Sequence, residues 1–94
     1  MDIPVKDEFV TPTAAVIRWY LRNYTPDEMD KEWLERCAKR METESNKYIR
    51  TNGELYVLKE ALSEAKKESS IDSIPQSLIE EIFNWVNDKY MEYK

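Results

Sequence analysis

One glycine in 94 residues is the feature that most limits what this chain can fold into. Tight hairpin turns need backbone with positive φ, which glycine supplies at little cost. With a single glycine and four prolines, a sheet of many strands lacks its corners. Lys, Glu, Leu, Ala and Met are plentiful instead, and all are good helix formers. The expected fold is all-α: a small antiparallel bundle of three to four helices, preceded by a short extended N-terminal arm. The length suits one helical domain spanning residues 1–94.

Apolar spacing and capping signals place the elements. Residues 1–10 read as the arm, with Ile3, Val5, Phe9 and Val10 available to pin it. A strand there would need a partner that the sequence does not reveal. A first helix is expected over about residues 11–24, with Thr11 as N-cap and Pro12 at its first position. At 100° per residue, Ala14, Ile17, Tyr20, Leu21 and Tyr24 share one face, and Trp19 points away from it.

A second helix, residues 26–51, opens with a capping box of Thr25 and Glu28. Its apolar stripe runs Trp33, Leu34, Cys37, Met41 and Tyr48, and it closes at Thr51-Asn52-Gly53. Residues 43–46, Thr-Glu-Ser-Asn, are weak enough in helix propensity to break or kink it. A third helix, residues 54–68, aligns Leu55, Leu58, Ala61, Leu62 and Ala65. After a linker, a fourth over residues 74–92 gathers Ile79, Ile82, Phe83, Val86, Tyr90 and Tyr93.

The chemistry on offer is narrow. Without histidine, the usual general base and the commonest transition-metal ligand are both missing. One cysteine cannot build a zinc site of any common pattern, and one glycine cannot build a phosphate-cradling loop. Carboxylate pairs such as Asp27–Glu28 and Glu80–Glu81 fall on faces assigned to solvent, where nothing moves their pKa values toward neutrality. The expectation is a protein that is not an enzyme and has no catalytic residues, no cofactor and no metal.

Cys37 lies within an apolar stripe and reads as an inert core thiol. A lone cysteine forms no internal disulfide, and the opening MDIPVKDEFV lacks the order of a signal peptide. No apolar run approaches the roughly 18 residues of a membrane span. A cytoplasmic protein without membrane contact is expected.

A net charge of −5 disfavours nucleic acid as partner. The one mildly basic segment is residues 18–50, with eight basic against seven acidic side chains. There Arg36, Arg40 and Lys47 line one flank of the expected second helix, with Arg50 close, and form the candidate anion-binding set. A helical regulator that holds nucleic acid on this flank is the alternative function. Glu32 four residues before Arg36, and Glu35 before Lys39, point instead to helical ion pairs. A helix-turn-helix around Thr51–Glu54 would present Glu54, Tyr56, Glu60, Ser63, Glu64 and Lys67 to a groove, a mostly acidic surface that phosphates repel.

The favoured function is a non-enzymatic protein-binding module: an adaptor, a regulator or an inhibitor of a larger protein. A variant of this reading, suggested by size and charge alone, is a small acidic inhibitor of the phage type that occupies a nucleic-acid groove on an enzyme. The candidate partner-binding residues are the aromatic, Met and Arg side chains off the core stripes: Arg18, Trp19, Arg22, Tyr56, Trp85 and Met91. Trp, Tyr and Arg are the types enriched at interface hot spots. The partner is another protein or a second copy of the chain, as in a homodimer.

Overall fold

The computed structural model describes residues 2–45 and 47–93. Four helices form among them: α1 (Asp7–Asn23), α2 (Glu28–Thr43), α3 (Asn52–Ala65) and α4 (Gln76–Tyr93). They pack chiefly as α1 on α2 and α3 on α4, and contacts of α3 with α1 and α2 join the two pairs. The fold is an all-α bundle, with two very short strand pairs pinned to it.

α1 begins four residues before the expected Thr11 cap, and Pro12 sits inside it. Phe9 and Val10 explain the extension, because as helical residues both reach the core. Pro12, the sixth residue of α1, lacks the N–H that would bond the Glu8 carbonyl, a cost that the burial of Phe9 and Val10 offsets. The arm is therefore shorter than residues 1–10. Its strand β1 (Ile3–Pro4) pairs antiparallel with β2 (Tyr48–Ile49), in register Ile3↔Ile49 and Pro4↔Tyr48. A further bond from the Val5 amide to the Lys47 carbonyl, 3.0 Å, extends the pairing. Ile3, Val5 and Ile49 are buried, and their burial holds the arm down.

α2 also departs from the expected 26–51. Its N-cap is Asp27, whose carboxylate accepts from the Asp30 amide at 3.0 Å, rather than Thr25. It stops at Thr43, where the hydroxyl donates to the Lys39 carbonyl at 2.7 Å, a side-chain bond that competes with the helix. The weak stretch at 43–46 ends the helix rather than kinking it, and the chain goes on as β2. Thr51 begins a helix rather than ending one: it is the N-cap of α3, and its hydroxyl accepts from the Glu54 amide. Gly53 serves close approach, not a left-handed cap. A Cβ there would lie 2.2 Å from the Trp33 ring.

After α3, Ser70–Ile71 (β3) and Ile74–Pro75 (β4) form a hairpin that replaces the expected linker. Asp72 and Ser73 between them have φ of 48° and 69° and form the turn of the hairpin. Ile71 and Ile74 bury the hairpin against the bundle, and Gln76 Nε2 donates to the Lys66 carbonyl at the end of α3.

Between α2 and α3 lies a buried ion pair. Arg40 Nη1 and Nη2 each donate to a Glu54 carboxylate oxygen at 2.9 Å, and Nη1 also donates to the Tyr48 carbonyl at 2.8 Å. Glu54 Oε1 accepts in addition from the Arg50 amide at 2.8 Å. No buried side-chain donor or acceptor among the described residues lacks a partner. One cluster thus joins α2, β2, the following turn and α3.

Two stability predictions follow from this packing. Glu54→Gln leaves the Arg40 charge buried without a counter-charge and should cost about 3 kcal/mol in urea unfolding. The double variant Arg40→Met/Glu54→Leu should not recover wild-type stability, because the Tyr48 carbonyl and Arg50 amide lose their partners. Full recovery would mean the cluster is a simple ion pair. Gly53→Ala should cost about 1–3 kcal/mol by forcing the Trp33 ring out of place; an unchanged midpoint would show that the ring moves freely.

Candidate functional site

The buried face of α1 keeps Ala14 and Ile17 of the expected stripe and is wider than that stripe. Phe9, Val10, Thr13, Ala14, Val16 and Ile17 are buried, and Val16 lies on the side the projection gave to solvent. α1 contacts α2, α3, α4 and β3, so it must bury a broad face. Two expectations are reversed as a result. Trp19 is half-buried and packs on the core, whereas Tyr24 is exposed and Tyr20 only half-buried. Tyr93, expected inside on α4, is likewise exposed.

The other candidate residues divide sharply. Arg18 binds Glu42 through two nitrogens, at 3.2 and 2.8 Å, and so ties α1 to α2. That bond holds the Glu42 carboxyl below its usual pKa and raises Arg18. Arg22 reaches Asp72 of the hairpin turn at 3.3 Å. Trp85 is half-buried, edge-on to Phe9 at 5.9 Å between centroids. Met91 and Tyr56 remain open, at 57% and 44% exposure.

The expected basic flank does not assemble. α2 ends before Lys47 and Arg50, so neither lies on the helix that carries Arg36 and Arg40. Arg40 is internal, Arg36 is ion-paired with Glu32 on the surface, and Arg50 lies over the Tyr48 ring at 5.4 Å. Lys47 Nζ approaches the Arg40 carbonyl at 3.4 Å. The expected Glu35–Lys39 pair is not among the ion pairs of the described residues. A signal for the buried pair is present in the sequence: Glu54 falls in register with Leu58, Ala61 and Ala65, and Arg40 with Trp33 and Cys37.

What the fold brings together instead is a strip of aromatic rings across α1, α3 and α4. Trp19 meets Tyr24 edge-on at 5.7 Å, and Tyr24 stacks on Tyr20 at 4.7 Å with 15° between planes. Tyr20 then faces Tyr56 across a cleft, and Tyr56 lies 6.0 Å from Tyr90. Lys59 stands over both Tyr56 and Tyr90, at 5.9 and 5.1 Å.

The cleft, about 180 Å³, is where α1, α2 and α3 converge. Buried Leu34 and Val57 line its base, and Asp30 and Glu60 stand at its sides. Burial and the nearby Asp27 charge raise the Asp30 carboxyl above its usual pKa. Tyr20 is also raised, first by burial and then by the field of Glu60 and Glu64. Single-helix projection missed this cleft because three elements build it.

Among the described residues, no three His, Cys, Asp or Glu side chains converge to hold a metal ion, and no helix is long and apolar enough to cross a membrane. Cys37 is buried, and desolvation together with the Glu54 charge pushes its pKa up to about 12, against a lesser opposing effect of Arg40. Comparison with protein-family models, curated proteins and solved structures finds no match, so function has to be read from these residues.

Because the folded-state pKa of Cys37 is raised, the unfolded chain loses its thiol proton first as pH climbs. The contribution of Cys37 to stability is therefore complete below the unfolded value, about 8.5, and is lost as pH rises toward about 12. Iodoacetamide at pH 8 should leave the folded protein unlabelled and modify it rapidly in urea. Fast labelling without denaturant would contradict the buried thiol.

Proposed function

We propose that this protein is a non-enzymatic protein-binding module that uses the aromatic strip of α1, α3 and α4. The observation that carries this reading is two ring clusters bordering one cleft, Trp19–Tyr24–Tyr20 on one side and Tyr56–Tyr90 on the other. A single exposed tyrosine is ordinary on a protein surface. Two clusters of rings spanning three helices make a large area of amphipathic contact, of the kind found where proteins bind one another. Met91 and Tyr93 add exposed apolar surface at the end of α4.

Relative to the sequence-based expectation, the binding surface moves. Tyr56 and Trp19 stay in it, and Tyr20, Tyr24 and Tyr90 join. Arg18 and Arg22 are engaged in ion pairs between elements of this chain and contribute positioning of α1. The absence of histidine and the inert environment of Cys37 fit a role in recognition rather than turnover.

The test is affinity capture from the native host with wild type and with Tyr24→Ser/Tyr56→Ser. Both tyrosines are exposed, so the variant should melt within about 1 kcal/mol of wild type. Wild type should retain a defined protein that the variant releases. Equal retention by a correctly folded variant, or no retained protein with wild type, would overturn the reading.

A further inference from the structure

The cleft at the middle of the strip has a character of its own. Its aromatic walls, Tyr20 and Tyr56, come from α1 and α3, and its carboxylates, Asp30 and Glu60, come from α2 and α3. Neither carboxylate has an ion-pair partner among the described residues. Lys67 pairs with Glu64 at 2.9 Å, and Lys59 stands over the Tyr56–Tyr90 rings without an ion pair to either cleft carboxylate. The cleft thus sets two carboxylates that lack an ion-pair partner among the described residues between two tyrosine walls.

We propose that the cleft seats an arginine side chain of the partner protein. The inference rests on the reading of the strip as a protein-binding surface and specifies what that surface recognises. A guanidinium is planar and permanently charged, and it can lie against a tyrosine face while donating to carboxylates on either side. At about 180 Å³ the cleft is well below the roughly 300–1,000 Å³ of small-molecule sites, and it suits a side chain better than a cofactor. Burial and then the charges of Glu60, Glu64 and Asp30 raise the Tyr20 hydroxyl, and an arriving cation would oppose that field. Flanking apolar groups of the partner would lie along Tyr24 on one side and Tyr90 on the other.

The experiment is an amide NMR titration with two peptides, acetyl-Gly-Leu-Arg-Leu-Gly-amide and its twin with citrulline, a neutral isostere, in place of arginine. The arginine peptide should shift the amides of Tyr20, Asp30, Tyr56 and Glu60 saturably, with about tenfold tighter binding than the citrulline peptide. Asp30→Asn/Glu60→Gln should reduce the arginine peptide to the level of its twin. Glu80→Gln/Glu81→Gln, which removes the same charge from the exposed outer face of α4, should leave binding unchanged. Equal shifts from both peptides, no shifts at the cleft, or equal loss in the α4 variant would each overturn the assignment. If the cleft fails while Tyr24→Ser/Tyr56→Ser still releases the cellular partner, the strip stands and only its cationic occupant is wrong.

Discussion

The Arg40–Glu54 cluster is the joint on which the rest of the molecule depends. It fixes two things that the helices could not fix by apolar packing alone: how the chain crosses from α2 to α3, and where the N-terminal arm docks. Arg40 holds the Tyr48 carbonyl, and Tyr48 and Ile49 supply the strand on which Ile3 and Pro4 lie. Glu54 holds the Arg50 amide and stands in the first turn of α3, where the helix dipole favours its charge. A buried ion pair is seldom a large net source of stability, but an incomplete one is costly. Its value here is to penalise any register of the α2–α3 connection that would separate its members.

From that joint the position of the binding strip follows. With α3 set against α2 and α1, Tyr56 comes to face Tyr20, and Glu60, one turn further along α3, comes to face Asp30 near the start of α2. Asp27, as the true N-cap, places Asp30 in the first turn of α2, and Pro26 joins the cleft lining. The same constraint that closes the core therefore shapes the cleft. Gly53 belongs to this arrangement, because the turn that presents Glu54 also passes over the Trp33 ring with no room for a side chain.

Much of the fold was legible in the sequence, and the failures have a common cause. Leu34, Cys37, Leu58, Leu62, Ile79 and Val86 repeat at helical spacing and are all buried, because each helix has to cover one face whatever its neighbours are. Helix ends were less legible. Thr11-Pro12 and Thr25-Pro26 carry local start signals, but Phe9 and Val10 gain more by entering the core as helix, and Asp27 makes the better cap. The pairing of Ile3 with Ile49 spans 46 positions, and no local pattern encodes it. Trp19 is half-buried and Tyr24 exposed, against the projection, because a single stripe assumes one buried face whereas α1 meets three helices. Of the candidate surface, Trp19 and Tyr56 were visible as residue types off the main stripes, while the cleft needed three elements and could not be seen in any one of them.

The charge distribution is explained by the same structure. The basic side chains of residues 18–50 made that segment the natural place to seek an anion-binding face. Half of the eight are ion-paired within the molecule: Arg18 on Glu42, Arg22 on Asp72, Arg36 on Glu32 and Arg40 on Glu54. Each pair cancels one cation against one acid, so the acidic excess of the chain, a net charge of −5, is carried by the side chains left unpaired. Long-range fields of this kind act mainly on encounter and on choice of partner, and short-range contacts set the lifetime of a complex. An aromatic strip with carboxylates at its centre divides the labour in that way, with rings supplying contact area and Asp30 and Glu60 supplying the preference for a basic residue.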